Sequence, residues 1–190
     1  MENMVDVKSQ ERPTQVLTAE HRIIERALAV LEKLTGAPVK ASVEDWKKTL
    51  EFIRHFADRC HHSKEEKFLF PAIEGHGISR ENGPIGTMLL EHEEGRRYVR
   101  SMMAALDLCG TNNEAAEKTL VENAKAYSRL VRAHIEDEGK VLFRIADAVL
   151  PADEQKELLR TFEEHEAEEL GEGIHEKYLS LLEELEASNS

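Results

Sequence analysis

Hydrophobic residues recur at intervals of three and four along most of this chain, the period at which an α-helix buries one face. Ile23, Ile24, Leu28, Leu31 and Leu34 form the first stripe; the domain starts near Leu17, with Thr18 as N-cap, and the helix stops at Gly36 and Pro38. A second stripe, Trp46, Leu50, Ile53, Phe56 and Cys60, runs to about residue 74. Ser42 and Asp45 resemble a capping box at its start, and Pro71 is expected to kink it or end its regular part. Glycines at 75, 77 and 83 mark a loop, after which Pro84 opens a third helix through Met88, Leu89, His92, Val99, Met103 and Leu106 to Gly110. A fourth helix occupies roughly 113 to 149. Pro151 opens a last helical segment, broken or bent near Gly171 and Gly173, in which Ile174, Tyr178, Leu181 and Leu185 make a short apolar seam. That seam is expected to pack on the other helices, with a homodimer contact as the alternative.

Four long amphipathic helices joined by short connections imply an all-α fold, an up-down four-helix bundle with a C-terminal helical extension. The domains follow: residues 1–16 a flexible N-terminal arm, 17–150 the bundle, and 151–190 an acidic extension. Composition agrees, since only 5% of the 190 residues are aromatic and helix formers abound, which argues against an all-β fold. The chain carries 38 acids and 25 bases, net −13. Such a surface repels phosphate backbones and anionic lipid heads, so neither nucleic acid nor a membrane is the expected partner. The excess is local: residues 151–190 hold net −10, leaving −3 for the rest. No apolar run approaches ~18 residues and no signal segment is visible. Cys60 and Cys109 form no CxxC pair, and a reducing cytoplasm is the expected compartment.

Histidine is the unusual component, with nine in the chain. HHSKEEKFLF at 61–70 and HIEDEGKVLF at 134–143 match at His61/His134, Glu65/Glu138, Lys67/Lys140, Leu69/Leu142 and Phe70/Phe143. Glu-His recurs as Glu20-His21 and Glu91-His92, and the two displacements, 73 and 71 residues, nearly agree. A helical hairpin is therefore duplicated, each copy bearing one His on its first helix and an HxxxE pair on its second. Residues four apart in a helix share a face, about 6 Å along the axis, so each HxxxE offers an imidazole and a carboxylate to one site. Solvated i, i+4 pairs would account for neither the duplication nor the spacing. His21 and His92 would, alone, pass for interface histidines; their place in the repeat makes them ligand candidates. Together the copies supply four imidazoles and two carboxylates, a set that would suit two divalent ions of iron, manganese or zinc but not calcium.

This pattern resembles the hemerythrin-like, or HHE cation-binding, domains, whose order is H, HxxxE, H, HxxxE or D down four helices. The resemblance covers roughly residues 17–150, and HHSKEEKFLFP is its most specific part. It implies a non-haem di-iron centre, iron ahead of manganese or zinc, with His21, His61, Glu65, His92, His134 and Glu138 as ligands and the two glutamates bridging. Hemerythrins proper carry HxxxH on the third helix, whereas the position four before His92 is Met88 here. Relatives lacking that His include an iron-sensing domain, in which a neighbouring residue on the second helix fills the gap, and a di-iron protein linked to repair of nitrosatively damaged iron centres. His62 is the candidate substitute, although neighbours in an α-helix point about 100° apart, which would place it at the edge of the site. The expected function is binding or reduction of a small ligand, oxygen, peroxide or nitric oxide; the alternative is an iron or oxygen sensor without turnover. No catalytic residue is assigned. His55, His76, His165 and His175 are read as structural or exposed, and Cys60 as a buried small hydrophobe.

Overall fold

A computed structural model describes residues 11–37, 39, 42–81, 83–109, 113–171 and 174–189, and among them every regular element is helical. Helix α1 is Pro13–Leu34. Helix α2, residues 43–75, begins as Val43–Phe52, widens into π-helical stretches at Ile53–His62 and Glu65–Leu69, and closes as Phe70–Gly75. Helix α3 is Pro84–Cys109. Helix α4, residues 114–149, is Glu114–Asp137, a π-helical Glu138–Leu142, and Phe143–Val149. After Pro151 the last segment is broken rather than bent near Gly171, into α5 (Ala152–Leu170) and α6 (Ile174–Ser188). Gly171 ends α5 at φ 82°, a backbone angle that glycine adopts without strain.

Several boundaries differ from the expected ones for identifiable reasons. Helix α1 starts five residues before Thr18, so residues 13–16 belong to it and not to the arm. Pro13 stands at N1, where its missing N–H is no loss, and the Gln15 carboxamide accepts from the Arg12 N–H at 2.9 Å. Thr18 lies inside the helix and donates back to the Thr14 carbonyl. Ser42 caps α2 by position, but its side chain makes no cap hydrogen bond, and Asp45 instead accepts from Asn189 at 3.1 Å. Pro71 does not end α2, because it sits in the first turn of Phe70–Gly75, just after the wide turn at Glu65–Leu69. The same wide turn occurs at Glu138–Leu142 without a proline, so it belongs to the repeat. Residues 1–10 of the expected arm, and Pro38, Gly110 and Gly173, lie outside the described residues.

Apolar side chains collect in two clusters. One joins the second half of α1 (Ile24 to Leu34), the start of α2 (Trp46 to Ala57), the end of α3 (Val99 to Cys109), the first part of α4 (Ala116 to Val131) and α6. The other joins Leu17 of α1, Leu69 to Ile73 of α2, Ile85 and Met88 of α3, Leu142 to Ala146 of α4 with Leu150 just beyond its end, and Leu158 and Phe162 of α5. Each of the first four helices therefore passes through both clusters, α1 and α3 in one order and α2 and α4 in the other. Between the clusters, at the middle of each helix, the buried residues are polar: Glu20, His21, His61, His62, Lys64, Glu65, His92, His134 and Glu138.

The C-terminal helices close the outside of this frame. Helices α5 and α6 both pack on α1 and α2. Tyr178, Leu182 and Leu185 of α6 are buried in the first cluster, which uses most of the apolar seam inside the chain; the side chain of Ile174 lies outside the description. Arg26 of α1 grips Glu186 through two bonds of 2.7 and 2.8 Å. Substituting Leu182→Ala should lower the unfolding free energy by roughly 2–5 kcal/mol, as measured by urea denaturation. A loss within the error of the measurement would mean that α6 is not part of the core.

Candidate metal centre

The seven residues singled out by sequence, His21, His61, His62, Glu65, His92, His134 and Glu138, all lie in the polar belt and are all buried. They fall into two groups that share Glu65. His21, His61, Glu65 and Glu138 have donor atoms within 4.8 Å of one another, and so have His62, Glu65, His92 and His134. Glu65 reaches both: Oε1 is 3.2 Å from His61 Nε2 and Oε2 is 3.4 Å from His92 Nε2. Glu138 Oε2 faces His21 Nε2 at 3.2 Å and His134 Nε2 at 3.8 Å. The Nε2 atoms of His92 and His134 are 3.2 Å apart, a separation comparable with that of two imidazole nitrogens sharing one ion at about 2.0–2.1 Å.

Sequence adjacency understates the reach of His62. Its ring stacks on that of His92, centroids 3.9 Å apart and planes 16° from parallel. The expected obstacle was the angle between neighbours in an α-helix, but His61 and His62 end a π-helical stretch, whose i→i+5 hydrogen bonds put more residues into each turn and narrow that angle. Glu66, which with His62 spells a second HxxxE, turns away to His92. Met88 is buried in the second apolar cluster.

What sequence reasoning did not assign is the layer that aims the imidazoles. Glu20 Oε2 lies 2.8 Å from His61 Nδ1, Glu66 Oε1 2.8 Å from His92 Nδ1, and Glu91 Oε2 2.8 Å from His134 Nδ1. A carboxylate on Nδ1 fixes the tautomer and leaves Nε2 as the inward donor. The signal was present in the repeated Glu-His pairs: the glutamate before each single His orients the HxxxE histidine of the following helix. Glu20 is held in turn by Lys64, whose Nζ lies 2.5 Å from Glu20 Oε1 and 2.6 Å from Glu166 Oε2 of α5. Glu20, Cys60 and Glu166 form a third convergent group, but the Lys64 ammonium already stands among them as its cation. Burial there pushes the Cys60 thiol up to about 12, so without a metal it stays protonated.

The electrostatics of the belt are those of a place built for cations. Both oxygens of Glu65 and of Glu138, and Nε2 of His21 and of His61, are buried without a hydrogen-bond partner among the described residues. Such atoms are costly to withdraw from water unless something replaces it. Burial, reinforced by the charge of Glu138, holds the Glu65 carboxyl well above the ordinary range. In Glu138 burial is outweighed by His21 and His134, which favour its ionised form. Burial also drives His61, His62 and His92 below the ordinary imidazole value, which keeps them neutral and able to donate a lone pair. The donor set therefore fits a pair of metal ions. The remaining described histidines lie elsewhere: His55 stacks on Tyr178, His76 pairs with Glu154, and His165 meets Ser63. The side chain of His175 lies outside the description.

Comparison with known proteins points the same way. The sequence model of the family described as hemerythrin HHE cation binding domain matches residues 12–146. Uncharacterized proteins of Mycobacterium bovis and Mycobacterium tuberculosis are 24% identical over 175 residues, covering 90% of this chain and 68% of theirs. No solved structure matches the chain.

Because Glu65 has a raised pKa in the folded, metal-free chain, the stability it contributes is complete below its ordinary value of 4.5 and is lost as pH rises through the folded value. Glu65→Gln should therefore stabilise the chelator-treated protein at pH 7, with a gain that vanishes near pH 4. Urea unfolding across that range checks it, and a variant less stable than the parent at pH 7 would refute it.

Proposed function

The chain belongs to the hemerythrin HHE cation-binding domain family, and from that premise we propose that it is a non-haem di-iron protein that binds or reduces oxygen, peroxide or nitric oxide. The single observation that carries this reading is the pair of four-donor groups joined through Glu65. In it, α1 to α4 form an up-down four-helix bundle, a reading supported by the alternating order in which they pass through the two apolar clusters. His21, His61, Glu65 and Glu138 would hold one ion; His62, Glu65, His92 and His134 would hold the other, with His62 taking the place left by Met88. Two iron ions would supply reversible binding or one-electron reduction of the small ligand, chemistry that the side chains alone cannot provide.

The chain's own residues do the rest. Glu20, Glu66 and Glu91 keep His61, His92 and His134 in one tautomer and one orientation. Phe143, stacked on His21 at 5.5 Å, and Phe70, on His92 at 6.0 Å, cover the belt from the second cluster and exclude water. A sensor in which metal occupancy orders α1 to α4 is the second reading, favoured by the Lys64 bridge that ties Glu20 of the belt to Glu166 of α5.

Protein purified from iron-replete cells should contain about two irons per chain, and His61→Ala or His134→Ala should each remove at least half of the metal. Metal-free parent protein, or variants with full metal content, would overturn the proposal. Stopped-flow mixing of the reduced protein with oxygen, peroxide or nitric oxide then separates reduction from binding: repeated turnover supports a reductase, and an adduct released on purging supports reversible binding without turnover.

A further inference from the structure

Beside His62 a cleft of about 380 Å³ opens between α2 and α3. Its volume is roughly that of a dozen liquid waters, far beyond the needs of a diatomic ligand and within the range of small-molecule sites. Its chemistry differs from the rest of the chain. Four arginines, Arg54, Arg59, Arg96 and Arg100, line it against one carboxylate, Asp58, in a protein whose formal net charge is −13. Between them lie the apolar surfaces of Ile53, Val99, Met103 and the buried Tyr127 ring.

The π-helical stretch Ile53–His62 builds one wall. Residues five apart are offset far less around a π-helix than around an α-helix, so Ile53 and Asp58, and Arg54 and Arg59, share the face that lines the cleft. The opposite wall is α3, where Arg96, Val99, Arg100 and Met103 follow at intervals of three and four, and Gly95 leaves space in front of Tyr127. Arg96 is braced by Asp58 at 2.8 Å and Glu66 at 2.5 Å, and Arg100 by Glu93 at 2.9 Å. Arg54 and Arg59 are exposed, and neither has a carboxylate partner among the described residues. Two uncommitted guanidiniums above an apolar floor match a carboxylate on an apolar body: the guanidinium offers paired donors, and the concave wall concentrates its field.

We propose that this cleft binds a small organic carboxylate, with its head at Arg54 and Arg59, its apolar body against Val99, Met103 and Tyr127, and its inner end at His62. The link to the metals rests on the reading above; the anion site stands on the arginines and is testable by itself. Benzoate, benzyl alcohol and benzylamine serve as probes by titration calorimetry on the full chain, both as isolated and after chelation. Benzoate should bind and the neutral and cationic analogues should not, with an affinity that falls as salt is raised. Arg54→Gln combined with Arg59→Gln should weaken benzoate about tenfold or more, and Met103→Glu, which puts a carboxylate on the apolar floor, should do the same. Absent benzoate binding, equal binding of benzyl alcohol, or undiminished binding by either variant would overturn the proposal. A metal-free protein that binds benzoate in this pattern keeps the cleft and refutes the di-iron reading. A protein with full metal content and no benzoate binding does the reverse.

Discussion

The constraint on which this structure turns is the burial of Glu65 and Glu138. Four carboxylate oxygens lie in the middle of four helices with no hydrogen-bond partner among the described residues, and a carboxylate withdrawn from water without compensation is among the most unfavourable things a fold can contain. Much of the architecture makes sense as a response. The apolar core is divided in two so that a polar belt can cross it. Histidines from all four helices surround the oxygens, and carboxylates outside three of those histidines orient them. In the proposed centre the metals complete this arrangement, so that binding free energy and folding free energy become the same quantity.

A second constraint is the width of the helical turn. Both HxxxE motifs start a π-helical stretch at the glutamate, and α2 carries a longer one before it. Such turns give up good hydrogen-bond geometry and are kept where the direction of a side chain matters more than local stability. Here they re-aim two sets of residues. His62 swings beside His92, and Arg54 aligns with Arg59 along the cleft. Strict α-helical periodicity would assign His62 to the rim and scatter the arginines.

This also explains how far the sequence could be read. The helices follow from apolar spacing, and six of the belt residues, His21, His61, Glu65, His92, His134 and Glu138, follow from the duplicated hairpin, because both signals repeat with a fixed period; His62 has no counterpart in the repeat and enters only through the family resemblance. Glu20 and Glu91 were visible only as neighbours of histidines; each serves a histidine 41 or 43 residues on, and no local pattern announces a contact that tertiary packing makes. Lys64 reads as an ordinary charged helix residue, yet it is almost wholly buried between Glu20 and Glu166. The π-helical turns have no comparable signature, so whatever depends on them, the position of His62 and the arginine-lined cleft, emerges only with the fold. The early start of α1 has a simpler reason: residues 13–16 carry no apolar period, yet Pro13 is well suited to a first turn.

The duplication is also where the two halves have parted. Aligning the repeats sets His62 against Ile135, Lys64 against Asp137 and Glu66 against Gly139. The half containing His92 and His134 thus has a third imidazole in His62 and carboxylates on both Nδ1 atoms. The other has two imidazoles, two carboxylates and one such support, Glu20 on His61. A donor set with more carboxylate favours the more highly charged, harder state of a metal, and one with more imidazole the softer state. Ions held by these two sets would therefore differ in affinity and potential even if chemically identical. The imidazole-rich half is also the one that meets the cleft through His62. Departure from symmetry and access from outside thus coincide at one residue, and in the proposed centre the exchangeable end would lie on the side of α2 and α3.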